Sequence, residues 1–144
     1  QDFERANEAL AMVQGVFPDG LPVEVELELQ NLKSRIAVAT GDSAADIAAL
    51  ERTIELDPLD GQALIFLGEQ RRRAGEPEEA ELLFDRAIAL EDFESEASLA
   101  KAKLLVDADR FSDAVPLLER ANELEPSTAI ENYLTQVRRM AKER

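Results

Sequence analysis

Short leucine-containing motifs recur along this chain at a fixed spacing of 34 residues. The motif reads Leu56-Asp57-Pro58 at its first occurrence, Leu90-Glu91-Asp92 at its second and Leu124-Glu125-Pro126 at its third. Other positions share this interval: Gly41, Gly75 and Asp109, then Leu50, Phe84 and Leu118, then Thr53, Ala87 and Ala121. Such a period indicates a stack of repeated units, in which each unit buries its apolar face against its neighbours.

The middle unit, residues 61–94, has an ordered pattern of small and apolar residues. Its members are Leu64, Leu67-Gly68, Ala80, Phe84 and Ala87. The pattern resembles a tetratricopeptide repeat, a hairpin of two helices with this period. We expect Gly68 and Ala80 to let the two helices approach closely and Phe84 to fill the space between neighbouring hairpins. Two positions depart from the family pattern: Arg71 replaces a tyrosine and Asp92 replaces the closing proline.

The flanking units match the same pattern in part. Residues 95–128 supply Ala102, Ala114, Leu118, Ala121 and Pro126, and residues 27–60 match in their second half through Gly41, Leu50, Leu56 and Pro58. The resemblance therefore implies three repeats at 27–60, 61–94 and 95–128. It implies an all-α fold, a right-handed α-α superhelix of about eight antiparallel helices within a single domain spanning 1–144.

Helix start and stop signals agree with the repeat phase. Asp42-Ser43 and Asp60 are candidate N-caps, Pro77 suits a first helical turn, and Gly41 and Gly75 are candidate helix ends. The predicted helices span 3–15, 23–40, 43–57, 61–74, 77–90, 95–108, 111–124 and 127–142.

Two segments allow more than one local structure. Residues 23–29 alternate acidic and apolar residues as a strand does, but Val25, Leu29, Leu32 and Ile36 lie on one face of a helix, which we favour because a lone strand would have no partner. Pro116 indicates either a helix start near Ser112 or a bend.

The two ends of the chain are predicted to be amphipathic helices. Residues 1–22 combine an apolar run through Phe3, Ala6, Leu10 and Val13 with a turn at 17–20. This segment is interpreted either as an N-terminal cap or as the second helix of an earlier hairpin in a longer repeat protein. In residues 127–144, Ile130, Leu134, Val137 and Met140 share one face, which predicts a C-terminal capping helix.

Composition argues against most catalytic and nucleic-acid functions. The chain has no histidine and no cysteine, so the usual catalytic base, the commonest metal ligand and thiolate chemistry are all missing. Its formal charge of −15 disfavours binding to nucleic acid. Glycine-rich phosphate loops, calcium loops and apolar runs long enough for a membrane span do not occur in the sequence. We therefore expect no enzyme activity, no cofactor, no metal and no membrane insertion, and the compartment stays open.

The resemblance also implies where a partner would bind, because the first helices of successive hairpins line a concave groove in this family. The positions that match are Asn31, Arg35, Gln62, Ile65, Glu69, Arg72, Leu99, Lys103 and Val106. Arg35, Arg72 and Lys103 supply positive charge, but the lysine and asparagine pattern with which some members hold a C-terminal carboxylate is absent. Apolar Ile65, Leu99 and Val106 would accept an amphipathic helix or an apolar peptide, or would pack within and between hairpins.

The triplet Arg71-Arg72-Arg73 closes the first helix of the middle unit and allows two interpretations. Arginines in a last turn complement the helix dipole and pair with nearby glutamates, or one of them binds a carboxylate or phosphate of a partner. The sequence thus predicts a non-catalytic scaffold that binds a protein or peptide. The alternative is a self-associating structural element that forms a homo-oligomer through its terminal helices.

Overall fold

Helices are the only regular secondary structure in the part of the chain that the structure describes. The computed structural model describes residues 2–17, 20–41 and 43–143. The helices there are α1 (Asp2–Val16), α2 (Val23–Thr40), α3 (Ser43–Leu56), α4 (Gly61–Ala74), α5 (Pro77–Ile88), α6 (Glu94–Asp107), α7 (Phe111–Leu124) and α8 (Thr128–Glu143), with one 3-10 turn at Glu91–Phe93. The all-α prediction is confirmed. The strand interpretation of residues 23–29 is wrong, because these residues open α2.

None of the helices in these residues is long and apolar enough to cross a lipid bilayer. The chain divides into two compact units, Gln1–Pro58 and Leu59–Arg144. We call them unit 1 and unit 2. The second and third predicted repeats and the final helix all lie in unit 2.

Unit 1 contains the helical hairpin of α2 and α3. Leu29 and Ile36 of α2 form a small buried cluster with Leu21 packed against it. Arg52 of α3 donates a hydrogen bond to Glu26 of α2 at 2.6 Å. The apolar run predicted through Phe3, Ala6 and Leu10 lies outside the residues whose side chains are described.

Unit 2 packs its helices in chain order, each against the next, and α4 also contacts α6. A buried cluster joins three helices through Ala102, Leu105, Ala114, Leu118, Leu134 and Val137. The last two of these belong to α8, which packs on α7, and Arg138 of α8 pairs with Glu119 of α7 at 2.6 Å. The prediction of a C-terminal capping helix is confirmed.

The hairpin of α4 and α5 depends on a close approach at Gly68. A Cβ atom built at this glycine would lie 2.5 Å from Cε1 of Phe84, which no real contact permits. Phe84, Ala80 and Ala87 are fully buried around this point. The ring of Phe84 therefore occupies the space that a side chain at position 68 would need, which explains why the pattern requires glycine there.

Three chain reversals repeat the same backbone conformation at the 34-residue interval. Gly41, Gly75 and Asp109 all have left-handed backbone angles, with φ of 75°, 78° and 60°. Glycine adopts this conformation without strain, and aspartate is among the few other residues that adopt it often. Gly41 and Gly75 are thus confirmed as helix ends.

The predicted start signals of two helices are also confirmed. The Ala63 amide donates to the Asp60 side chain at 2.9 Å, and Pro77 lies at the start of α5. Asp42, the other predicted N-cap, lies outside the described residues. Helix α7 begins at Phe111, one residue from the start near Ser112 that Pro116 predicted, and Pro116 lies inside it.

An arginine–carboxylate pair inside the hairpins also follows the repeat. In unit 1, Arg52 near the end of α3 contacts Glu26 near the start of α2. In unit 2, Arg120 near the end of α7 contacts Glu94 at the start of α6, also at 2.6 Å. The two pairs are separated by two repeat lengths. The repeat therefore extends to surface residues of these two hairpins.

Candidate functional site

The exposed side of α4 is a narrow stripe, because only Phe66, Arg73 and Ala74 of this helix are exposed. Gln62, Phe66, Glu69 and Arg73 follow one another at helical spacing along the stripe. Phe66 is 51% exposed, unlike Phe84, which is fully buried. The first helix of the middle repeat therefore presents an aromatic ring between polar residues.

Helix α6 presents the corresponding stripe one repeat later. Glu96 and Lys103 are exposed, and Leu99 and Val106 are half-buried with their inner edges against the core of unit 2. A pocket of about 260 Å³ opens between α6 and α8. Its walls are Leu99, Lys103, Ala129, Ile130 and Tyr133.

Side-chain interactions join these helices into one surface. Gln62 of α4 donates to Glu96 of α6 at 3.3 Å. Arg72 of α4 donates a hydrogen bond to Asp107 of α6. Tyr133 of α8 lies close to both residues, and their charges shift its pKa in opposite directions. We call this surface the α4–α6–α8 face. It consists of Gln62, Phe66, Glu69, Arg72, Arg73, Glu96, Leu99, Lys103, Asp107, Ala129, Ile130 and Tyr133.

Arg72 is engaged within the protein. It also donates two hydrogen bonds to Glu69, at 3.0 and 3.1 Å. Burial disfavours its charged form, but the bonds to Asp107 and Glu69 outweigh this and raise the pKa of Arg72. Arg71 likewise pairs with Glu76 at 2.7 Å and with Glu79 at 3.3 Å. For the first two arginines of the triplet, these contacts match the interpretation in which they pair with nearby carboxylates.

The two lysines of α6 differ in their surroundings. Lys101 pairs with Asp85 at 2.6 Å and with Glu81 at 3.2 Å, both on α5. Lys103 lies on the other side of the helix, where it borders the pocket, and no carboxylate of the described residues is within ion-pair distance. Lys103 is therefore an available positive charge at the rim of an apolar pocket.

Tyr133 is partly buried on the α4–α6–α8 face, beside the pocket. Its ring packs partly against the core of unit 2, and its pKa is raised, first by burial and then by the negative charge of Asp107. Arg72 opposes this effect. The phenol therefore stays neutral at physiological pH and offers a hydrogen-bonding group beside the pocket.

The predicted partner-binding residues are distributed unevenly. Leu99 and Lys103 line the pocket, and Gln62, Glu69 and Arg72 lie on the α4–α6–α8 face with hydrogen bonds to other residues of that face. Val106 is half-buried against the core. Ile65 is only 3% exposed, so it packs in the interior and offers a partner almost no surface. Asn31 and Arg35 are exposed on α2 of unit 1.

Sequence reasoning missed Phe66, Ile130 and Tyr133. Phe66 was missed because the groove positions that the repeat phase gives on this helix are Gln62, Ile65, Glu69 and Arg72. The other two were missed because α8 was interpreted only as a cap. Adding one repeat length to Glu96 and Leu99 leads to Ile130 and Tyr133, so the 34-residue interval itself contained the signal.

Residues 31–95 match a family model described as Tetratricopeptide repeat. The chain therefore contains tetratricopeptide repeats. None of the curated proteins compared with the chain matches its sequence.

Solved structures of tetratricopeptide domains share the fold. The first TPR of Spaghetti (RPAP3), bound to the HSP90 peptide SRMEEVD, is 18% identical, covers 81% of this chain and 96% of that chain, and has a TM-score of 0.73. The TPR2B domain of yeast Sti1 in its pHsp70 complex is 15% identical over 83% of this chain and 99% of that chain, with a TM-score of 0.70. At these identities the likeness concerns the fold.

A third similar structure is part of an enzyme. The Thermobaculum terrenum O-GlcNAc transferase K341M mutant is 23% identical over 82% of this chain, with a TM-score of 0.70. The match covers only 23% of that chain. The repeat fold therefore occurs both in peptide complexes and within larger enzymes.

Proposed function

We propose that this chain is a non-catalytic protein-interaction module, and that its α4–α6–α8 face binds a peptide or helix of a partner protein. The observation on which this rests most is the exposed apolar surface of this face. Phe66 is 51% exposed, and the pocket between α6 and α8 is lined by Leu99, which is partly buried, and by Ile130, of which 9% is exposed. An apolar patch framed by polar residues is typical of an interaction site.

The other side chains of the face support binding rather than catalysis. Most of its charged groups are in hydrogen bonds within the face, as Arg72 is with Glu69 and Asp107. Such paired groups hold one another in place and fix the shape of the surface that a partner would contact. No group of three or more metal-ligating side chains occurs within the described residues.

The similar structures support the same function. Two of them are named as complexes with a peptide of HSP90 and with pHsp70. The lysine and asparagine pattern expected for a C-terminal carboxylate is missing here, so we propose a partner segment of other chemistry.

A pull-down from host lysate with matched variants tests this function. Phe66→Glu places a charge in the face, and Leu82→Glu places the same charge on α5, where Leu82 is 64% exposed. We expect a partner captured by wild type and by Leu82→Glu to be lost with Phe66→Glu, while circular dichroism shows all three folded. Equal capture by all three proteins would place binding elsewhere.

Self-association through α1 is a second candidate function. Met12 and Val16 are 69% and 70% exposed and lie one turn apart on this helix, and Phe17 follows at 43%. A second copy that covers this apolar stripe would form a symmetric dimer. Light scattering should then show a dimer that Val16→Asp converts to a monomer, and a monomer at all concentrations of the wild type would exclude it.

A further inference from the structure

We infer that the pocket between α6 and α8 binds one aliphatic side chain of a partner segment, and that an acidic side chain beside it in that segment pairs with Lys103. This inference rests on the proposed function and specifies the chemistry of the partner. It follows from the size of the pocket, its lining and the distribution of charge around it.

The size and lining of the pocket suit a single apolar side chain. Its volume of about 260 Å³ is below the range of about 300–1,000 Å³ in which small-molecule sites usually fall. Leu99, Ala129 and Ile130 give it apolar walls, and the ring of Tyr133 closes one side. An aliphatic side chain of a bound peptide would enter this space and displace water from these walls.

The positive charge of Lys103 at the rim of the pocket favours an acidic residue next to the aliphatic residue of the bound segment. Lys103 is exposed and unpaired with respect to the described carboxylates, unlike Lys101 on the same helix, which has two partners. A carboxylate held beside an apolar anchor would form a charge-assisted hydrogen bond with the Lys103 ammonium group. A basic residue at that position would meet repulsion instead.

The remaining charges of the face limit the segment to one such carboxylate. Glu69, Glu96 and Asp107 are all on the face, and the first and the last of them share the single positive charge of Arg72. The whole chain has a formal charge of −15, so each further acidic residue would be repelled. We therefore expect neutral or basic residues around the single acid. A chain end with a terminal and a side-chain carboxylate would need a second cation at the pocket, which its lining does not contain.

Selection from a random peptide library tests this chemistry directly. The peptides are displayed between two folded domains, so that no free C-terminus is present, and are selected on wild type, Lys103→Glu and Lys142→Glu. Lys142 is an exposed lysine on α8 that does not line the pocket, which makes it the matched control. A Phe66→Glu, Tyr133→Ala double variant measures binding that does not depend on the face.

We expect peptides enriched on wild type and on Lys142→Glu to combine an aliphatic residue with one Asp or Glu within a helical turn. On Lys103→Glu, the preference should change to Lys or Arg while the aliphatic residue remains. For a synthetic peptide from the selection, replacing its Glu by Gln should weaken binding roughly two- to fivefold, as for exposed ion pairs.

The possible failures are distinguishable. Enriched peptides that require the face but show no acidic preference, or the same preference on Lys103→Glu, would overturn this inference and leave the proposed function standing. Enrichment only from a library with free C-termini would also overturn it, in favour of chain-end recognition. Peptides that bind the double variant as well as wild type, or no enrichment over that variant, would overturn both.

Discussion

One added methyl group at Gly68 should destabilise the protein, although alanine is the better helix former. The built Cβ lies 2.5 Å from Cε1, 2.9 Å from Cδ1 and 3.0 Å from Cζ of Phe84. The phenyl ring cannot turn away into solvent, because it is fully buried. The Gly68→Ala substitution therefore forces the ring or the helix itself to move.

The size of the effect follows from two opposing terms. Replacing glycine by alanine inside a helix stabilises by about 0.8–1.0 kcal/mol. Overpacking a core by a methylene-sized group costs about 1–3 kcal/mol, and a contact this short beside buried Ala80 and Ala87 belongs at the upper end. We expect a net loss of about 1–2 kcal/mol, with a Tm shift of roughly 4–8 °C per kcal/mol for a unit of this size.

Thermal and urea unfolding, followed by circular dichroism, measure this loss. Gly15→Ala is the matched control, because nothing lies within 4 Å of the Cβ built at this position of α1. Phe84→Leu removes the clashing ring atoms, so its own cost should be smaller in the Gly68→Ala background. A double-mutant cycle should give a coupling energy of about 1 kcal/mol between the two sites.

Two results would refute this reasoning. A Gly68→Ala protein as stable as the wild type would mean that α4 and α5 are not as close as the structure places them. Additive effects of Gly68→Ala and Phe84→Leu would mean that the ring is not what the methyl group meets.

Three further substitutions test individual contacts. Asp60→Ala removes the N-cap of α4 and should lower the free energy of unfolding by about 1 kcal/mol in urea titrations. An unchanged free energy of unfolding would mean that this cap does not stabilise the helix. Ser98→Ala removes a buried hydroxyl that has no partner among the described residues, so it should raise the free energy of unfolding by about 1 kcal/mol, and a decrease would reveal a hydrogen bond. The hydrogen bond from Arg120 holds the pKa of Glu94 below the ordinary value of a glutamate, as the bond from Arg52 does for Glu26. Its stabilising effect is present above that value and is lost on acidification through the folded-state pKa, so Tm should fall less steeply below pH 4.5 for Glu94→Gln than for wild type, and equal slopes would contradict the shift.

The repeat determined most of what could be predicted about the fold. The small and apolar positions around Gly68 and Phe84, the helix ends at Gly41 and Gly75 and the cap at Asp60 are local features, and each has a direct sequence signal. The helix in residues 23–29 was harder to predict, because alternating acidic and apolar residues favour a strand locally. It forms because α3 supplies a helical partner for its apolar side.

The candidate site was less predictable, because it depends on which side chains find partners. Arg72 and Lys103 look alike in sequence, yet the first is bonded to two carboxylates and the second has none among the described residues. Ile65 and Phe66 are adjacent apolar residues whose side chains leave α4 about 100° apart, and the packing of this helix buries the first and exposes the second. Periodicity gives the helix face only approximately, so it does not separate such neighbours.

The most direct test of the α4–α6–α8 face is a methyl NMR titration with a peptide obtained by the selection. Leu99 and Ile130 report on the pocket, and Leu59 and Leu82, 70% and 64% exposed, report on other surface of the same unit. We predict that the methyl signals of Leu99 and Ile130 shift progressively with added peptide while those of Leu59 and Leu82 stay unchanged. Shifts at Leu59 or Leu82 without shifts at the pocket would contradict the assignment of this face as the binding surface.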